Sequence, residues 1–252
     1  MKKLKQAKKN ILLKCNPIIA NLYATKYLRH SNLNKFIQIS IYHSFIFFRV
    51  PKAANSTLMN TIMYHDPFIN NELHKSDNPR SNKWFYNPDD FGIQSAKQAL
   101  DHFNKCAFVR NPLNRILSAY IDKIAYPENP DYGKPAKVRK RLDKISNNPI
   151  SFDHFVRYLE FGGIHDDVHW APQADLLPPI NYLNFIGNVE NMQKDVEKLT
   201  NLLFPNVQWK GISENRPHST GAHSKYSSYY NTRLEQTVAD LYRKDFDRFG
   251  YS

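Results

Sequence analysis

The chain has 252 residues, of which 41% are hydrophobic and 13% aromatic, and its formal net charge of +12 gives a pI near 9.5. This composition excludes a wholly disordered chain, since the length and apolar content fit one sizeable hydrophobic core. The positive charge fits nucleic acid, an anionic membrane surface or other anions as partners, and it selects none of them.

The number of cysteines and the length of the apolar runs indicate the cellular compartment. The two cysteines, Cys15 and Cys106, are too few for a disulfide framework, and Cys106 lies in a predicted buried strand, so a reducing compartment is favoured. No apolar run approaches the roughly 20 residues that cross a bilayer. The stretch 11–24 is interrupted by polar residues and is a poor signal-peptide core. The histidines and cysteines show no metal-ligand spacing, so no metal site is predicted.

The N-terminal residues 1–40 are predicted to form a basic helical extension, and residues 41–252 the main domain. The basic character comes from six lysines: Lys2, Lys3, Lys5, Lys8, Lys9 and Lys14. A frayed, solvated helix is the simpler interpretation of this segment. The alternative is peripheral contact with anionic lipid at the inner face of a membrane, or with an acidic glycan.

The first candidate site follows a short apolar run. Residues 45–50 predict a buried strand, Pro51 ends it, and a turn with Lys52 leads into a helix that begins near Ser56 and Thr57. Such a junction surrounds an anion with unpaired backbone amides, hydroxyl groups and one ammonium group. The pattern predicts a phosphate site formed by Lys52, Ala53, Ala54, Asn55, Ser56 and Thr57.

The backbone of this loop is unusual because it contains no glycine. Phosphate loops usually need a residue with left-handed backbone angles. Asn55 is expected to take that conformation, since asparagine tolerates it better than most residues.

A second stretch, 106–120, repeats the organisation of the first. Its predicted strand ends at Arg110, Asn111 is placed as the N-cap of the next helix, and Pro112 occupies the first helical position. Ser118 lies about two turns along that helix. Arg110 and Ser118 could therefore reach one phosphate group from different sides.

The remaining chain continues to alternate strands and helices. Capping-box patterns predict helix starts at Ser95 and Thr232, and Ser151 opens another helix. Residues 182–186 predict a third strand, and 188–203 an amphipathic helix. This order predicts an α/β fold, one domain with a mostly parallel sheet flanked by helices. Ligand is then expected beyond the carboxyl ends of the strands.

Both candidate stretches resemble a known enzyme family. VPKAANST at 50–57 is similar to the 5′-phosphosulfate loop, and VRNPLNRILSAY at 109–120 to the 3′-phosphate motif, of sulfotransferases that use 3′-phosphoadenosine 5′-phosphosulfate (PAPS). Three further segments resemble the chondroitin and HNK-1 type of carbohydrate sulfotransferases in the same order: 169–173, 185–190 and 241–250. The resemblance extends from about residue 45 to residue 251.

The resemblance implies a P-loop-like domain that moves the sulfuryl group of PAPS to a carbohydrate hydroxyl by in-line displacement, leaves 3′,5′-ADP and needs no metal. It implies that Lys52 neutralises the bridging oxygen and that residues 53–57 bind the 5′-phosphate. Arg110 and Ser118 would hold the 3′-phosphate. His169 is the leading candidate for the general base, because histidine titrates near neutral pH.

Other residues near these motifs receive lesser roles. His102 is the alternative base. Arg115 is expected to be structural and to pair with an acidic neighbour. Glu190 is interpreted as a charge in the first turn of a helix. Three residues in the polar stretch 211–230 are interpreted as closing over the nucleotide: Ser213, Lys225 and Tyr226.

Two other functions stay open. A kinase-like P-loop enzyme would need the GK[ST] of a Walker A motif and a strand ending in Asp for Mg²⁺, and neither is evident. A non-enzymatic polyanion-binding protein would use the basic head and the run 134–144. Nucleic acid is not expected as its partner, because no nucleic-acid-binding signature is present.

Location and acceptor follow from the resemblance. Animal members of the family carry a membrane anchor, and none is evident here, which predicts a cytoplasmic, bacterial-like enzyme of glycan biosynthesis. The acceptor would be an oligosaccharide or polysaccharide. The cationic composition is compatible with an acidic polysaccharide.

Overall fold

The computed structural model describes residues 36–67, 85–90, 93–125, 136–145, 150–213 and 221–252. The chain divides into two compact units. The first comprises the residues up to 50 together with 55–108 and 175–216, and the second comprises 51–54, 109–174 and 217–252. The predicted basic head at 1–14 lies outside the described residues, and the domain boundary at residue 40 stays a prediction.

Strands and helices alternate along the described chain. The strands are β1 (Ile37–Ser40), β2 (Phe45–Phe48), β3 (Asn104–Val109) and β4 (Phe185–Asn188). The helices are α1 (Asn55–His65), α2 (Ile93–His102), α3 (Pro112–Lys123), α4 (Ala136–Leu142), α5 (Phe152–Glu160), α6 (Gln173–Leu176), α7 (Met192–Leu203), α8 (Tyr226–Tyr229), α9 (Thr232–Leu241) and α10 (Arg243–Phe249). Short 3₁₀ turns occupy Pro88–Asp90, Gly163–His165, Ile180–Tyr182 and Val189–Asn191.

A four-stranded sheet in the order β1-β2-β3-β4 forms the centre of the first unit. Strands β2 and β3 are parallel, with Phe47 opposite Cys106, and β1 is antiparallel to β2, with Ile39 opposite Ile46. The predicted α/β class with a mostly parallel sheet is confirmed. The prediction that residues 1–40 form a helical extension is wrong for Ile37–Ser40, because these residues pair with β2 and are buried.

Both faces of β2 are covered, which explains its continuous apolar sequence. Phe47 and Phe108 of the sheet share a buried cluster with Leu58 of α1 and Leu199 of α7. The Cys106 thiol is buried in the same cluster, as its predicted strand position required.

Helices build the second unit around their own hydrophobic core. Trp170 is fully buried there, together with Leu117 of α3, Phe155 of α5 and Val238 of α9. The predicted start of α5 is confirmed, since the Ser151 hydroxyl accepts a hydrogen bond from the His154 backbone nitrogen.

Several predicted boundaries differ from the structure. Helix α2 begins at Ile93, two residues before the predicted cap at Ser95. The N-cap of α9 is Asn231, whose side chain accepts from the Leu234 nitrogen at 2.9 Å, so the chain is already helical at Thr232. The third predicted strand, 182–186, lies at Phe185–Asn188, because a 3₁₀ turn occupies Ile180–Tyr182.

Of the helices within the described residues, none combines the length and apolar character needed to cross a bilayer.

Candidate active site

The turn after β2 has a constrained backbone. Lys52 and Ala54 adopt left-handed angles, with φ values of +66° and +54°. This conformation costs about 1–2 kcal/mol for a residue with a Cβ atom, so neighbouring contacts must hold the turn. The prediction that Asn55 takes the left-handed angle is wrong, because Asn55 is the first residue of α1 and the two residues near it take that conformation instead.

The Lys52 ammonium group is paired with an acid on α3 of the same unit. Its Nζ lies 3.2 Å from Asp122 Oδ2, and Lys123 Nζ lies 3.3 Å from the same oxygen. Burial lowers the pKa of the Lys52 ammonium, while Asp122 acts in the opposite direction. Burial opposes ionisation of Asp122 as well, but the two ammonium groups outweigh it and lower the pKa of the carboxyl. Lys52 is thus held by an ion pair with Asp122.

Arg110 follows directly after β3 and reaches the same turn. Its Nη1 donates a hydrogen bond to the Lys52 carbonyl oxygen at 3.2 Å. The Arg110 charge contributes to lowering the pKa of Lys52. The structure therefore brings these two predicted residues together, and two neighbouring cations make a favourable environment for an anion.

The start of α3 matches its prediction. The Asn111 side chain accepts from the Leu113 nitrogen at 2.9 Å, and Pro112 is the first helical residue. No acidic residue lies in the first turn of this helix, so its positive dipole end is not neutralised from within. Ser118 lies further along α3 and is only 2% exposed. Its predicted contact with a 3′-phosphate stays a prediction.

Arg115 is fully buried and has a larger structural role than its sequence suggested. Its guanidinium group donates to the carbonyl oxygens of Pro51 at 2.9 Å, Ala171 at 2.8 Å and Val168 at 3.1 Å. The expected structural role is confirmed, although carbonyl groups take the place of the expected acidic partner in these hydrogen bonds. One side chain thereby joins the residue before Lys52 to both sides of His169.

His169 is oriented by a carboxylate. Its Nδ1 lies 2.5 Å from Asp167 Oδ1, and its backbone nitrogen donates to the same oxygen at 2.8 Å. A carboxylate at Nδ1 favours a proton on that nitrogen, which leaves Nε2 as the acceptor. The side chain is 30% exposed. This geometry suits a general base. Sequence reasoning missed Asp167, because its position two residues before His169 was the only signal of its role.

Gln173 was also missed. Its fully buried side chain accepts a hydrogen bond from the Arg110 backbone nitrogen at 2.9 Å and donates one to the Arg110 carbonyl oxygen at 2.7 Å. The sequence signal was its place in the family-like segment 169–173, which by itself assigned it no role.

Comparison with known proteins identifies the family. Residues 37–252 match the sequence profile described as "Sulfotransferase family". The chain is a member of the sulfotransferase family. It is 25% identical over 230 residues to carbohydrate sulfotransferase 9 of Homo sapiens, covering 83% of the chain and 52% of that protein.

Other relatives carry similar names. Carbohydrate sulfotransferase 8 of Mus musculus is 28% identical over 183 residues, covering 65% of the chain and 43% of the relative. Carbohydrate sulfotransferase 14 of Danio rerio is 26% identical over 248 residues, covering 89% and 64%. The sulfotransferase chain thus spans about half the length of the first two relatives. No solved structure gave a significant match.

The other predicted residues of this sulfotransferase lie at various places in the two units. In the first unit, Ser56 and Thr57 are partly buried in the first turn of α1, which carries no acidic residue, and His102 is exposed at the end of α2. The Ser213 nitrogen donates to the Thr61 hydroxyl at 3.1 Å. In the second unit, Tyr226 stacks on Tyr230.

Side chains that bind metals do not cluster in the described part of the chain. No group of three or more His, Cys, Asp or Glu side chains there could hold a metal ion.

Proposed function

We propose that this sulfotransferase moves the sulfuryl group of PAPS to a hydroxyl group of a carbohydrate. The observation that carries the proposal is the contact between Arg110 and the turn of Lys52, at residues that follow the parallel strands β2 and β3. Family membership supports sulfuryl transfer, and the names of the relatives support a carbohydrate acceptor.

The available donor groups fit a nucleotide that carries phosphate at both ends. A guanidinium group binds a phosphate through two parallel hydrogen bonds, which suits Arg110 to the 3′-phosphate, with the Ser118 hydroxyl as a second donor. An ammonium group acts as a point charge, which suits Lys52 to the 5′-phosphosulfate. The remaining donors to the 5′-phosphate are the backbone and hydroxyl groups that follow Lys52 along the chain: Ala53, Ala54, Asn55, Ser56 and Thr57.

The chemistry assigned to these residues is an in-line displacement at sulfur. The acceptor oxygen forms a bond to sulfur while the bond between sulfur and the phosphate oxygen breaks. His169 Nε2 takes the proton of the acceptor hydroxyl, and Asp167 stabilises the resulting imidazolium. Lys52 exchanges Asp122 for the phosphate oxygen, where its ammonium group neutralises the developing negative charge. The products are a sulfate ester and 3′,5′-ADP, and no metal takes part.

The acceptor follows from charge as well as from the relatives. A net charge of +12 is compatible with an acidic oligosaccharide or polysaccharide, and a role in glycan biosynthesis is part of the proposal. A cytoplasmic location, with peripheral membrane contact through the basic N-terminal residues, also stays a prediction.

Nucleotide discrimination tests the donor assignment. We expect 3′,5′-ADP to raise the melting temperature of the full chain, 5′-AMP to raise it less, and ATP·Mg²⁺ to have little effect. At a concentration about 100 times its dissociation constant, 3′,5′-ADP should add about 2.7 kcal/mol to the free energy of unfolding.

Arg110→Ala should weaken 3′,5′-ADP binding far more than 5′-AMP binding. Arg157→Ala, at an exposed position of α5, is the matched control.

Other results would favour other functions. A response to ATP·Mg²⁺ without one to 3′,5′-ADP would indicate a kinase-like enzyme. Binding of polyanions alone, lost steeply as salt rises, would indicate a polyanion-binding protein.

A further inference from the structure

The family-like segment 241–250 contains none of the residues assigned to donor or acceptor chemistry. It forms the end of α9 and all of α10. Asp245 on α10 is fully buried. An aspartate is rarely buried to this extent unless its oxygens have partners.

Both carboxylate oxygens of Asp245 accept backbone hydrogen bonds. Oδ2 accepts from the Gln173 nitrogen and Oδ1 from the Ala174 nitrogen, each at 2.8 Å. Arg248, one turn further along α10, donates to the Ala174 carbonyl oxygen at 2.7 Å. Three hydrogen bonds from α10 therefore fix the backbone at Gln173 and Ala174.

The ionised form of Asp245 is also stabilised by the charge of Arg115. Burial raises the pKa of the Asp245 carboxyl, while the Arg115 guanidinium and the two backbone amides favour its ionised form. The carboxylate thus belongs to the same buried network as Arg115. Its position is set by several groups at once.

Gln173 carries this constraint to Arg110. Its side chain both accepts from the Arg110 nitrogen and donates to the Arg110 carbonyl oxygen. A primary amide is suited to this pair of bonds, because it offers an acceptor and a donor side by side, whereas a carboxylate offers acceptors only. Since β3 ends at Val109, Gln173 holds the backbone of Arg110 just beyond the strand.

We infer that Asp245 and Gln173 are positioning residues that orient Arg110 for selective binding of the 3′-phosphate. The inference rests on the proposed function, because it takes Arg110 as the 3′-phosphate ligand. The hydrogen bonds at Arg110 N and O fix the direction of its Cα–Cβ bond and so the origin of the guanidinium side chain. The C-terminal helix α10 thereby sets donor selectivity without touching the donor.

Two substitutions of similar size test this role. Gln173→Glu keeps the shape of the side chain but replaces the donor to the Arg110 carbonyl oxygen with an acceptor. Asp245→Asn replaces one acceptor oxygen with an NH₂ group that opposes a backbone N–H. Asp247→Asn, at an exposed position of the same helix, is the control.

The readout is the ratio of dissociation constants for 3′,5′-ADP and 5′-AMP, measured by calorimetry on the full chain. We expect both variants to raise the dissociation constant of 3′,5′-ADP about tenfold, as suits the loss of a hydrogen-bonded constraint. The dissociation constant of 5′-AMP should change less than about twofold. In Gln173→Glu the ratio should recover towards the wild-type value at lower pH, because protonation of the carboxyl restores a donor.

Each alternative result has a separate meaning. An equal loss for both nucleotides, or a lower melting temperature with an unchanged ratio, would show that the two residues are only structural. If Arg110→Ala changes the ratio and Gln173→Glu does not, the positioning role is overturned and the proposed function stands. If Arg110→Ala leaves the ratio unchanged, the 3′-phosphate assignment itself fails. Gln173→Glu decides the outcome if Asp245→Asn does not fold.

Discussion

The guanidinium group of Arg115 connects the proposed leaving-group side and acceptor side of the reaction. It holds the carbonyl oxygens of Pro51, Val168 and Ala171, which flank Lys52 and His169 in the chain. A buried guanidinium with three carbonyl partners has little freedom to change its rotamer. It can therefore support the left-handed turn at Lys52 and the position of His169, the proposed base, with one side chain.

Replacing Arg115 should destabilise the second unit. Arg115→Met keeps an apolar stem of similar length but leaves three carbonyl groups without their donor. We therefore expect the free energy of unfolding to fall by about 3 kcal/mol or more. The measurement is urea denaturation followed by circular dichroism. Arg157→Met replaces an exposed arginine and should change stability by less than about 0.5 kcal/mol. Similar losses for both variants would contradict the assigned role.

The cationic residues of the site could be predicted from sequence, whereas their orienting partners could not. Lys52 and Arg110 follow strands and precede helices, and such junctions are local patterns. Asp167 contacts one ring nitrogen of His169. Gln173 contacts the backbone of Arg110, which lies 63 positions away in the chain. Residue identity alone does not show which partner a polar side chain will find.

Helix α1 is attached at its C-terminal end by a buried histidine. His65 Nδ1 lies 2.9 Å from the Thr61 carbonyl oxygen, and its Nε2 accepts a hydrogen bond from the Lys210 nitrogen at 3.0 Å. The ring stacks on Trp209 with 4.6 Å between centroids. These contacts require the neutral ring with its proton on Nδ1, and burial lowers the pKa of His65.

Stability should therefore fall in mild acid. Below the ordinary histidine pKa of about 6.5, the unfolded chain binds a proton at His65 that the folded chain resists, so the free energy of unfolding decreases as the pH falls. We expect His65→Gln to show a flatter pH dependence between about pH 7 and 5 in chemical denaturation. His223→Gln, which replaces an exposed histidine, should keep the wild-type slope. An unchanged slope in His65→Gln would refute this assignment.

The elements that could be predicted are those with strong local signals. The continuous apolar run gives β2, and the caps at Asn111 and Ser151 give α3 and α5. Strand β1 is stabilised by pairing with β2, which a short segment does not reveal. The helix predicted to start at Thr232 ends at Leu241, and a second helix begins at Arg243. The intervening Tyr242 has a buried hydroxyl that donates to the distant Trp170 carbonyl oxygen.

At the scale of the whole molecule, the net charge of +12 is its strongest long-range property. Screening reduces such attraction, because the Debye length falls from about 10 Å at 0.1 M salt to about 3 Å at 1 M. An acidic polymer would therefore meet the protein mainly through electrostatic attraction at low salt, whereas a neutral sugar would not.

Transfer to a glycan panel tests this consequence. With labelled PAPS, we expect acidic glycans to accept sulfate better than neutral ones at low salt, with a KM that rises as NaCl increases from about 0.05 to 0.5 M. The kcat should change less, because the chemical step lies within the site. Lys52→Ala should give no transfer to either class. Equal salt dependence for acidic and neutral acceptors would contradict an electrostatic contribution to acceptor binding.

The α/β class could be predicted because strands and helices alternate in the sequence, but the division into two compact units could not. Each unit is assembled from three separate stretches of chain. Hydrophobic periodicity shows which face of an element is buried. It does not show which distant element covers that face, so the buried clusters of the two units had no separate signature.

The absence of glycine from the proposed phosphate loop has a thermodynamic consequence. The loop already holds Lys52 and Ala54 at left-handed backbone angles, and residues with a Cβ atom visit few other compact conformations there. Ordering a flexible backbone costs about 1–2 kcal/mol per residue. In the proposed function, folding has already met that cost before PAPS binds, so donor binding should proceed with little unfavourable configurational entropy.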